Sequence, residues 1–442
     1  MNIGTKSEVL GEVVGTDIVS SAIFVSGKAY HAYAALSQSG REAVVAADRN
    51  ALCPFVPEIA EMELQETGMG DLHDKSEKIL LALNRTPGTE DLSMQVSADE
   101  DGITIHEHCA YGVVCAVPPA TNHSATVISN VIGLLSAGNC VIVISHPRCR
   151  GVSGYTVRLI DDAIKSACGI SGLVTEFSQE SVELSLKLMN HPDVAMVVAT
   201  GGGKMIRQAL GCTKRVIGAG SANPVAMVDE TADLSYAAKC IADGASFDNN
   251  ITCVGEKNIV VVSEVAERLI EELVAQGAFY VSDCADMLKL TKATINNSFM
   301  MRRSMAGKSA MEILKEAEIP CDREVRLIVV ETAKTHPFVT LEMLMPMVPI
   351  IRASNFDDLL EMALFIEQGN RHTAMIHSQN IARLSRAAQV MQTSVFIRNG
   401  SSLSALGFDG GAGTGFTIAN ITGEGVTTAR DFARWRRCSY FA

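Results

Sequence analysis

The residue in this chain with the plainest chemistry is a cysteine set in a polar turn. Cys253 lies in Phe-Asp-Asn-Asn-Ile-Thr-Cys-Val-Gly-Glu-Lys, from Phe247 to Lys257, directly ahead of an apolar run from Asn258 to Val262. A thiolate is a far stronger nucleophile than a thiol, and partial exposure beside hydrogen-bond donors lowers a thiol's pKa. Asp248, Asn249 and Asn250, with the amides of residues 252–254, are the local groups expected to create that setting. The competing reading is a cysteine simply packed at a helix–strand junction. The 12 cysteines show no Cys-x-x-Cys pair and no Cys/His cluster at zinc spacing. No metal site is therefore expected, and the thiols read as reduced.

Four more stretches carry groups that a reaction at that sulfur needs. Pro118-Pro-Ala-Thr-Asn122-His123 ends one strand and precedes a helix. The Asn122 carboxamide can donate to an oxygen that becomes negative during attack on a carbonyl, or cap the helix beginning near Ser124. Ala199-Thr200-Gly201-Gly202-Gly203-Lys204 follows another strand, where glycines let backbone approach a pyrophosphate and a helix N-terminus favours an anion. No complete Gly-x-Gly-x-x-Gly occurs. Ser145-His146-Pro147-Arg148 offers donors and a cation at the same sheet edge, and an exposed loop is the alternative for both segments. Glu342 is either a solvated carboxylate or the acceptor that ribose hydroxyls require.

These groups need a scaffold, and the hydrophobic pattern supplies one. From Gly27 to Leu83 the period is helical, broken at Gly68-Met-Gly-Asp71. Residues 1 to about 25 are weakly amphipathic and interrupted by Gly11 and Gly15, so a frayed terminus is expected rather than a docking tail. Between Leu92 and His108 the period becomes two around Asp99-Glu-Asp-Gly102, a hairpin that needs something to lie against. Short, nearly continuous apolar runs then alternate with helices: strands over 113–117, 140–144, 173–177 and 194–199, as in a parallel sheet covered on both faces. A second set has strands over 225–228, 258–262, 326–330, 347–351, 374–376 and 394–397. The polar, Met-rich stretch 285–309 has no clear period.

Length and charge bound the function. A chain of 442 residues exceeds one core and suggests two or three domains. A net charge of -13 argues against nucleic acid or an anionic membrane as partner. No apolar run approaches a membrane span, and the N-terminus lacks the pattern of a secretory signal, so a cytoplasmic protein is expected.

Taken together, the stretches resemble the CoA-acylating aldehyde dehydrogenases, and especially the propionaldehyde and acetaldehyde enzymes of propanediol- and ethanolamine-utilisation microcompartments. The resemblance runs from Glu66-Thr-Gly-Met-Gly70 to Arg437. It is carried by Gly244-Ala-Ser-Phe-Asp-Asn-Asn250 with Cys253, Val228-Asp-Glu-Thr-Ala-Asp-Leu234, His372-Thr-Ala-Met-Ile-His-Ser378 and Thr422-Gly-Glu-Gly-Val426. It implies that Cys253 is the nucleophile and that Asn122 stabilises the oxyanion. Thr200, Gly201, Gly202 and Gly203, with His146, Pro147 and Arg148, form the cofactor loops in this reading. Glu342 holds the nicotinamide ribose, and Gly220 belongs to the cofactor site. Hydrolytic relatives carry a water-activating glutamate in Glu-Leu-Gly-Gly, where this chain has Gly218-Ala-Gly-Ser221. A thioester on Cys253 is then expected to wait for a thiol. His372 and His377 are, by their chemistry alone, candidates for the base that deprotonates CoA; packed or hydrogen-bonded structural histidines are the competing reading. The sequence before Glu66 is shorter than in those relatives and poorly matched, which counts against a microcompartment-targeting peptide. The loop from Asn399 to Gly415, which borders the substrate tunnel in the family, departs from their pattern, so a different aldehyde preference is expected.

The resulting expectation is an α/β, aldehyde dehydrogenase-like fold. A Rossmann-type cofactor-binding domain spans 1–91 and 110–222, and an α/β catalytic domain spans 223–420. A protruding hairpin (92–109) and the segment 421–442 serve oligomerisation, giving a homodimer or dimer of dimers. The expected reaction oxidises a short-chain aldehyde, propionaldehyde or acetaldehyde, with NAD and CoA to acyl-CoA. NADP is the alternative cofactor that His146 and Arg148 keep open. A bacterial microcompartment and its shell are the alternative location and partner. A hydrolytic aldehyde dehydrogenase and a degenerate nucleotide-binding assembly component are the rival functions.

Overall fold

The computed structural model describes residues 17–178, 181–409 and 413–441. Its first helix, α1 (Ile18–Tyr33), starts inside the segment expected to fray: Val19 and Ile23 are buried, and Ser26 meets Thr175 Oγ1 at 3.2 Å. That expectation fails for residues 18–25, because tertiary burial supplies what the weak periodicity lacks. Residues 1–16 lie outside the described part. Helices α2 (Gln38–Leu52), α3 (Val56–Thr67) and α4 (Leu72–Arg85) follow. Gly68, at φ 64°, ends α3, and the Asp71 carboxylate accepts the His73 and Asp74 amides to start α4. The buried face of α4 holds Asp74, Lys75 and Lys78 beside Ile79, Ala82 and Leu83. Three charges on a buried helix face require partners from elsewhere in the fold.

Strands β1 (Gln95–Asp99) and β2 (Gly102–Cys109) form the expected hairpin. Five parallel strands then make the first large sheet: β3 (Val113–Val117), β4 (Cys140–Ile144), β5 (Val174–Phe177), β6 (Val194–Thr200) and β7 (Arg215–Ala219), in the order β5-β4-β3-β6-β7. The order reverses between β3 and β6, the place where open α/β sheets bind ligands outside the strands' carboxyl ends. Helix α5 (His123–Ser136) follows β3 and is buried along its whole length. Helices α6 (Arg150–Cys168), α7 (Val182–Met189) and α8 (Gly203–Leu210) complete this layer. Strand β7 escapes the apolar-run criterion because it opens with exposed Arg215 and contains Gly218.

The second sheet is also wholly parallel, with seven strands: β8 (Val225–Val228), β9 (Asn258–Val262), β10 (Phe279–Val281), β11 (Ile328–Glu331), β12 (Met347–Ala353), β13 (Thr373–His377) and β14 (Val395–Arg398). Its order is β10-β11-β12-β9-β8-β13-β14. Residues 220–224 pass directly from the carboxyl end of β7 to the amino end of β8, so that end of one sheet adjoins the opposite end of the other. Within the unassigned 285–309 stretch lies most of a helix, Cys284–Thr294, capped by Asp283. Only Leu290, Ala293 and Thr294 of it are buried, too few to print a clear period.

After the short pair β15 (Ile418–Ala419) and β16 (Gly425–Val426), the basic tail is strand β17 (Arg434–Phe441). It pairs antiparallel with β2 from Arg434↔Cys109 to Phe441↔Gly102, so this chain supplies the hairpin's third strand.

Candidate active site

Cys253 sits in the turn between a short 3-10 segment, Phe247–Asn250, and β9. Asp248, Asn249 and Asn250 all have left-handed backbone, at φ 48°, 51° and 56°. Asp and Asn tolerate this region better than other L-residues, and here each is also tied down. Asn249 Nδ2 donates to the Gly70 and Gly307 carbonyls at 3.0 and 2.9 Å. Asn250 Nδ2 donates to the Glu256 carbonyl at 3.0 Å, while its Oδ1 accepts from Lys257 Nζ at 2.7 Å. Asp248 Oδ1 accepts the Asp71 amide at 2.7 Å, and its own amide donates to Asp74 Oδ2 at 2.8 Å. Gly70, at φ 90°, makes room for that carboxylate: a Cβ there would lie 2.1 Å from Asp248 Oδ1.

These contacts correct one expectation. The Asp-Asn-Asn run turns inward to hold the loop and does not activate the sulfur. Burial raises the Cys253 thiol to about 12, with Glu342 adding to the rise and Lys257 and Lys78 opposing it. A half-buried thiol beside a carboxylate is a protonated thiol at neutral pH.

Cys253 opens into a cleft of about 390 Å³ between the two sheets. Of the residues singled out from sequence, Asn122, His146, Pro147, Thr200, Gly201, Gly202, Gly220, Cys253 and Glu342 line it. Arg148 and Gly203 do not: Arg148 is exposed beyond the rim, and Gly203 is the first residue of α8. The groups arrive from two directions. Asn122 and His146 follow β3 and β4 and Thr200 ends β6, all at the strands' carboxyl ends, whereas Cys253, Glu342 and His372 precede β9, β12 and β13.

Asn122 stands at the N-cap of α5, yet its side chain makes no cap hydrogen bond. Its Oδ1 accepts instead from Lys78 Nζ at 2.6 Å, and its Nδ2 has a single partner, Thr121 Oγ1, at 3.5 Å. Nothing in the sequence singles out Lys78. Its Lys-x-x-Lys spacing on an amphipathic helix reads as a solvated face, but Lys75 and Lys78 are each 1 % exposed. Both pair with Asp248, and Lys75 also pairs with Glu63 at 3.1 Å. Glu63 in turn accepts the Ser124 amide at 2.8 Å at the head of α5.

The cleft's other ionisable groups are tuned mainly by burial. Glu342 is raised above the ordinary carboxylate range by burial, opposed by Lys257 and the Ala222 amide. Burial lowers Lys257. His372 is pushed down to about 4 by burial and by Lys257, so its ring is neutral, and Nδ1 meets Thr373 Oγ1 at 2.8 Å. His377 is likewise pushed down to about 4 by burial but does not line the cleft. His146 is lowered by burial and by Arg148, and its Nδ1 accepts the Arg148 amide at 3.1 Å. The proton of that neutral ring is therefore on Nε2, available to donate.

The β4 and β6 ends suit a nicotinamide dinucleotide. A Cβ at Gly201 or Gly202 would meet nothing within 4 Å, so backbone there is open to close approach. Helix α8 starts behind Gly202 with no capping side chain, which leaves its first amides for an anion. Among the described residues no group of three or more His, Cys, Asp or Glu could hold a metal ion, and no helix is long and apolar enough to cross a membrane.

Comparison with known proteins gives the same picture. Residues 6–417 match the model of the aldehyde dehydrogenase family. The chain is 40% identical over 421 residues to a propanal dehydrogenase (CoA-propanoylating) of Salmonella typhimurium, covering 95% of this chain and 90% of that protein. It superposes with TM-score 0.94 and 37% identity on the Rhodopseudomonas palustris propionaldehyde dehydrogenase solved with bound CoA and an acylated cysteine, covering 96% and 97% of the two chains. An engineered glycolyl-CoA reductase with bound NADP+ matches with TM-score 0.94 and 37% identity, covering 96% of each chain.

Proposed function

The chain belongs to the aldehyde dehydrogenase family, and from that premise we propose that it is a CoA-acylating member acting on a short-chain aldehyde. One observation carries the reading: Cys253 and the Asn122 amide share a cleft in which Glu342 is the only carboxylate-bearing side chain among the lining residues. The position where hydrolytic relatives keep a water-activating glutamate, the first of Gly218-Ala-Gly-Ser221, is Gly218, whose amide is engaged with Thr422 Oγ1 at 3.0 Å.

In this mechanism Cys253 loses its proton to the solvated cleft, and Sγ adds to the aldehyde carbon. The carbonyl oxygen becomes an oxyanion and takes the Asn122 Nδ2 hydrogen. Thr200, Gly201, Gly202 and His146 would hold the dinucleotide's phosphates, and Glu342 would accept from its ribose. The nicotinamide, when bound, supplies the hydride acceptor. The product is a thioester on Cys253. With Glu342 given to the ribose and no other carboxylate among the lining residues to activate water, it persists until the CoA thiol arrives. His372 takes the CoA proton, the CoA sulfur attacks the same carbon, and Cys253 leaves as thiolate and recovers that proton. The reverse reaction uses the same groups. His372 is preferred over His377 because it faces the cleft. NAD is the cofactor and NADP the alternative. Arg148, being off the cleft, weakens the case for a 2′-phosphate site.

Residues 1–91 with 110–222 form the cofactor-binding part and 223–420 the catalytic part in this reading. The hairpin 92–109 and the segment 421–442 serve assembly into a homodimer or dimer of dimers. Exposed Val96, Ile103 and Tyr440 on one face of that small sheet, and Trp435 on the other, support the assignment, since exposed apolar surface of this kind marks interfaces. Encapsulation in a microcompartment is tested by fusing residues 1–25 to a fluorescent protein in compartment-forming cells; diffuse signal rejects it.

The deciding assay follows NADH with propionaldehyde or acetaldehyde, with and without CoA, for wild type and Cys253→Ala. CoA-dependent turnover lost in the variant is the expected result. Equal turnover without CoA establishes the hydrolytic rival, and no turnover of any aldehyde by wild type establishes the degenerate one.

A further inference from the structure

Lys78 belongs to helix α4, does not line the cleft, and yet touches both halves of the reacting constellation. Its ammonium reaches Asn122 Oδ1 at 2.6 Å, the Thr121 carbonyl at 3.4 Å and the Asp248 carboxylate. We propose that Lys78 is a positioning residue: it sets which end of the Asn122 amide faces the substrate, and it registers that amide against the turn bearing Cys253. The inference rests on the oxyanion role given to Asn122 above.

Donors and acceptors decide the orientation of the amide. An ammonium has three donors and no acceptor, so the end of the Asn122 amide that faces it must be oxygen. The nitrogen is then the end left for the cleft, where its one partner sits at the 3.5 Å limit. Rotating the amide by half a turn would set N–H against N–H at Lys78 and present lone pairs to a developing oxyanion. The second link is Asp248. Its carboxylate, held by Lys78, is the anchor of the left-handed residues that precede Cys253. The oxyanion donor stands beyond β3 in the first sheet, and the nucleophile stands ahead of β9 in the second. One buried cation joins them. Lys75 does not duplicate this role: it pairs with Glu63 at 3.1 Å and lies 3.7 Å from Asp248, without a contact to Asn122.

The test is a double-mutant cycle read in the single-turnover acylation burst, with cofactor Kd and aldehyde KM measured alongside. Lys78→Met keeps the side-chain length without the charge. Because it leaves a buried carboxylate unpaired, Lys78→Met/Asp248→Asn is the second variant, which removes both charges together. Each is made in the wild-type and Asn122→Ala backgrounds. The expected result is an acylation rate lowered about 10- to 100-fold in the wild-type background, as for loss of an oxyanion donor. Cofactor Kd and aldehyde KM stay within about twofold, and in the Asn122→Ala background the further loss is below about threefold. Equal losses in both backgrounds would overturn the inference, as would a folded variant with an unchanged burst. If Asn122→Ala alone keeps the wild-type burst, the oxyanion role itself fails, and this inference falls with it.

Discussion

Cys253 should be a slow thiol in the free enzyme, and the reason is electrostatic. A thiol raised to about 12 is thiolate to roughly 3 parts in 100,000 at pH 7.5, against about one part in ten for a free cysteine near 8.5. The ratio is ~3,000. A more basic thiolate is also more nucleophilic: a Brønsted slope of about 0.4–0.5 over 3.5 units returns ~40-fold. Alkylation by iodoacetamide is therefore expected to run ~100-fold slower than for a free thiol, and to climb close to tenfold per pH unit up to about pH 10. Part of that suppression comes from Glu342, whose carboxylate repels the thiolate. Replacing it in Glu342→Gln removes the repulsion, lowers the thiol and speeds alkylation. Because burial keeps Glu342 protonated above the ordinary carboxylate range, this gain should be present near pH 8.5 and vanish near pH 5.5. The assay is timed labelling, quenching and peptide mass spectrometry, with the exposed thiols of Cys53 and Cys284 as references in the same digest. A plateau below about pH 9 refutes the reasoning, as does a Gln variant that reacts no faster than wild type at pH 8.5.

Other outcomes follow from the same contacts. Gly70→Ala places a methyl 2.1 Å from Asp248 Oδ1 at φ 90°, so thermal denaturation should show a loss of about 1–3 kcal/mol together with a weaker acylation burst. Glu256 is buried, accepts the Ser402 amide and hydroxyl, and is pushed up to about 7 by burial. Its folded pKa exceeds the unfolded one, so the native state binds the extra proton and loses stability as pH rises from about 4.5 to 7. The loss is on the order of 3 kcal/mol, and urea unfolding of Glu256→Gln should lack that slope. Deleting 434–442 removes the third strand of the small sheet and exposes the β2 edge. Light scattering should then report smaller assemblies or aggregates, and an unchanged assembly would exclude this sheet from the interface.

Much of the architecture was legible in the chain itself. Val113–Val117, Cys140–Ile144 and Asn258–Val262 are apolar runs because both faces of a parallel sheet are covered, and that burial leaves its mark in composition. That Asn122, Thr200–Gly202 and Cys253 share a cleft was readable because they lie at the ends of such runs; the competing readings of a helix cap, an exposed loop and a packed thiol leave the same sequence. Among the elements that periodicity missed, β7 opens with exposed Arg215 and contains Gly218, β10 is three residues long with only Val281 buried, and the helix Cys284–Thr294 buries only Leu290, Ala293 and Thr294.

What the tertiary structure alone decided is which charges meet. Lys75 and Lys78 look like a solvated stripe on α4, and Asp248 to Asn250 look like donors for a thiolate. Folding reverses both readings, because their partners are 44 residues away for Lys78 and Asn122, and 177 for Asp71 and Asp248. Arg148 leaves the cleft and His372 enters it for the same reason. Sequence reports the apolar face of an element over a few residues. Ionisation and hydrogen-bond direction depend on burial and on groups brought within about 3 Å, and only the closed fold brings them there.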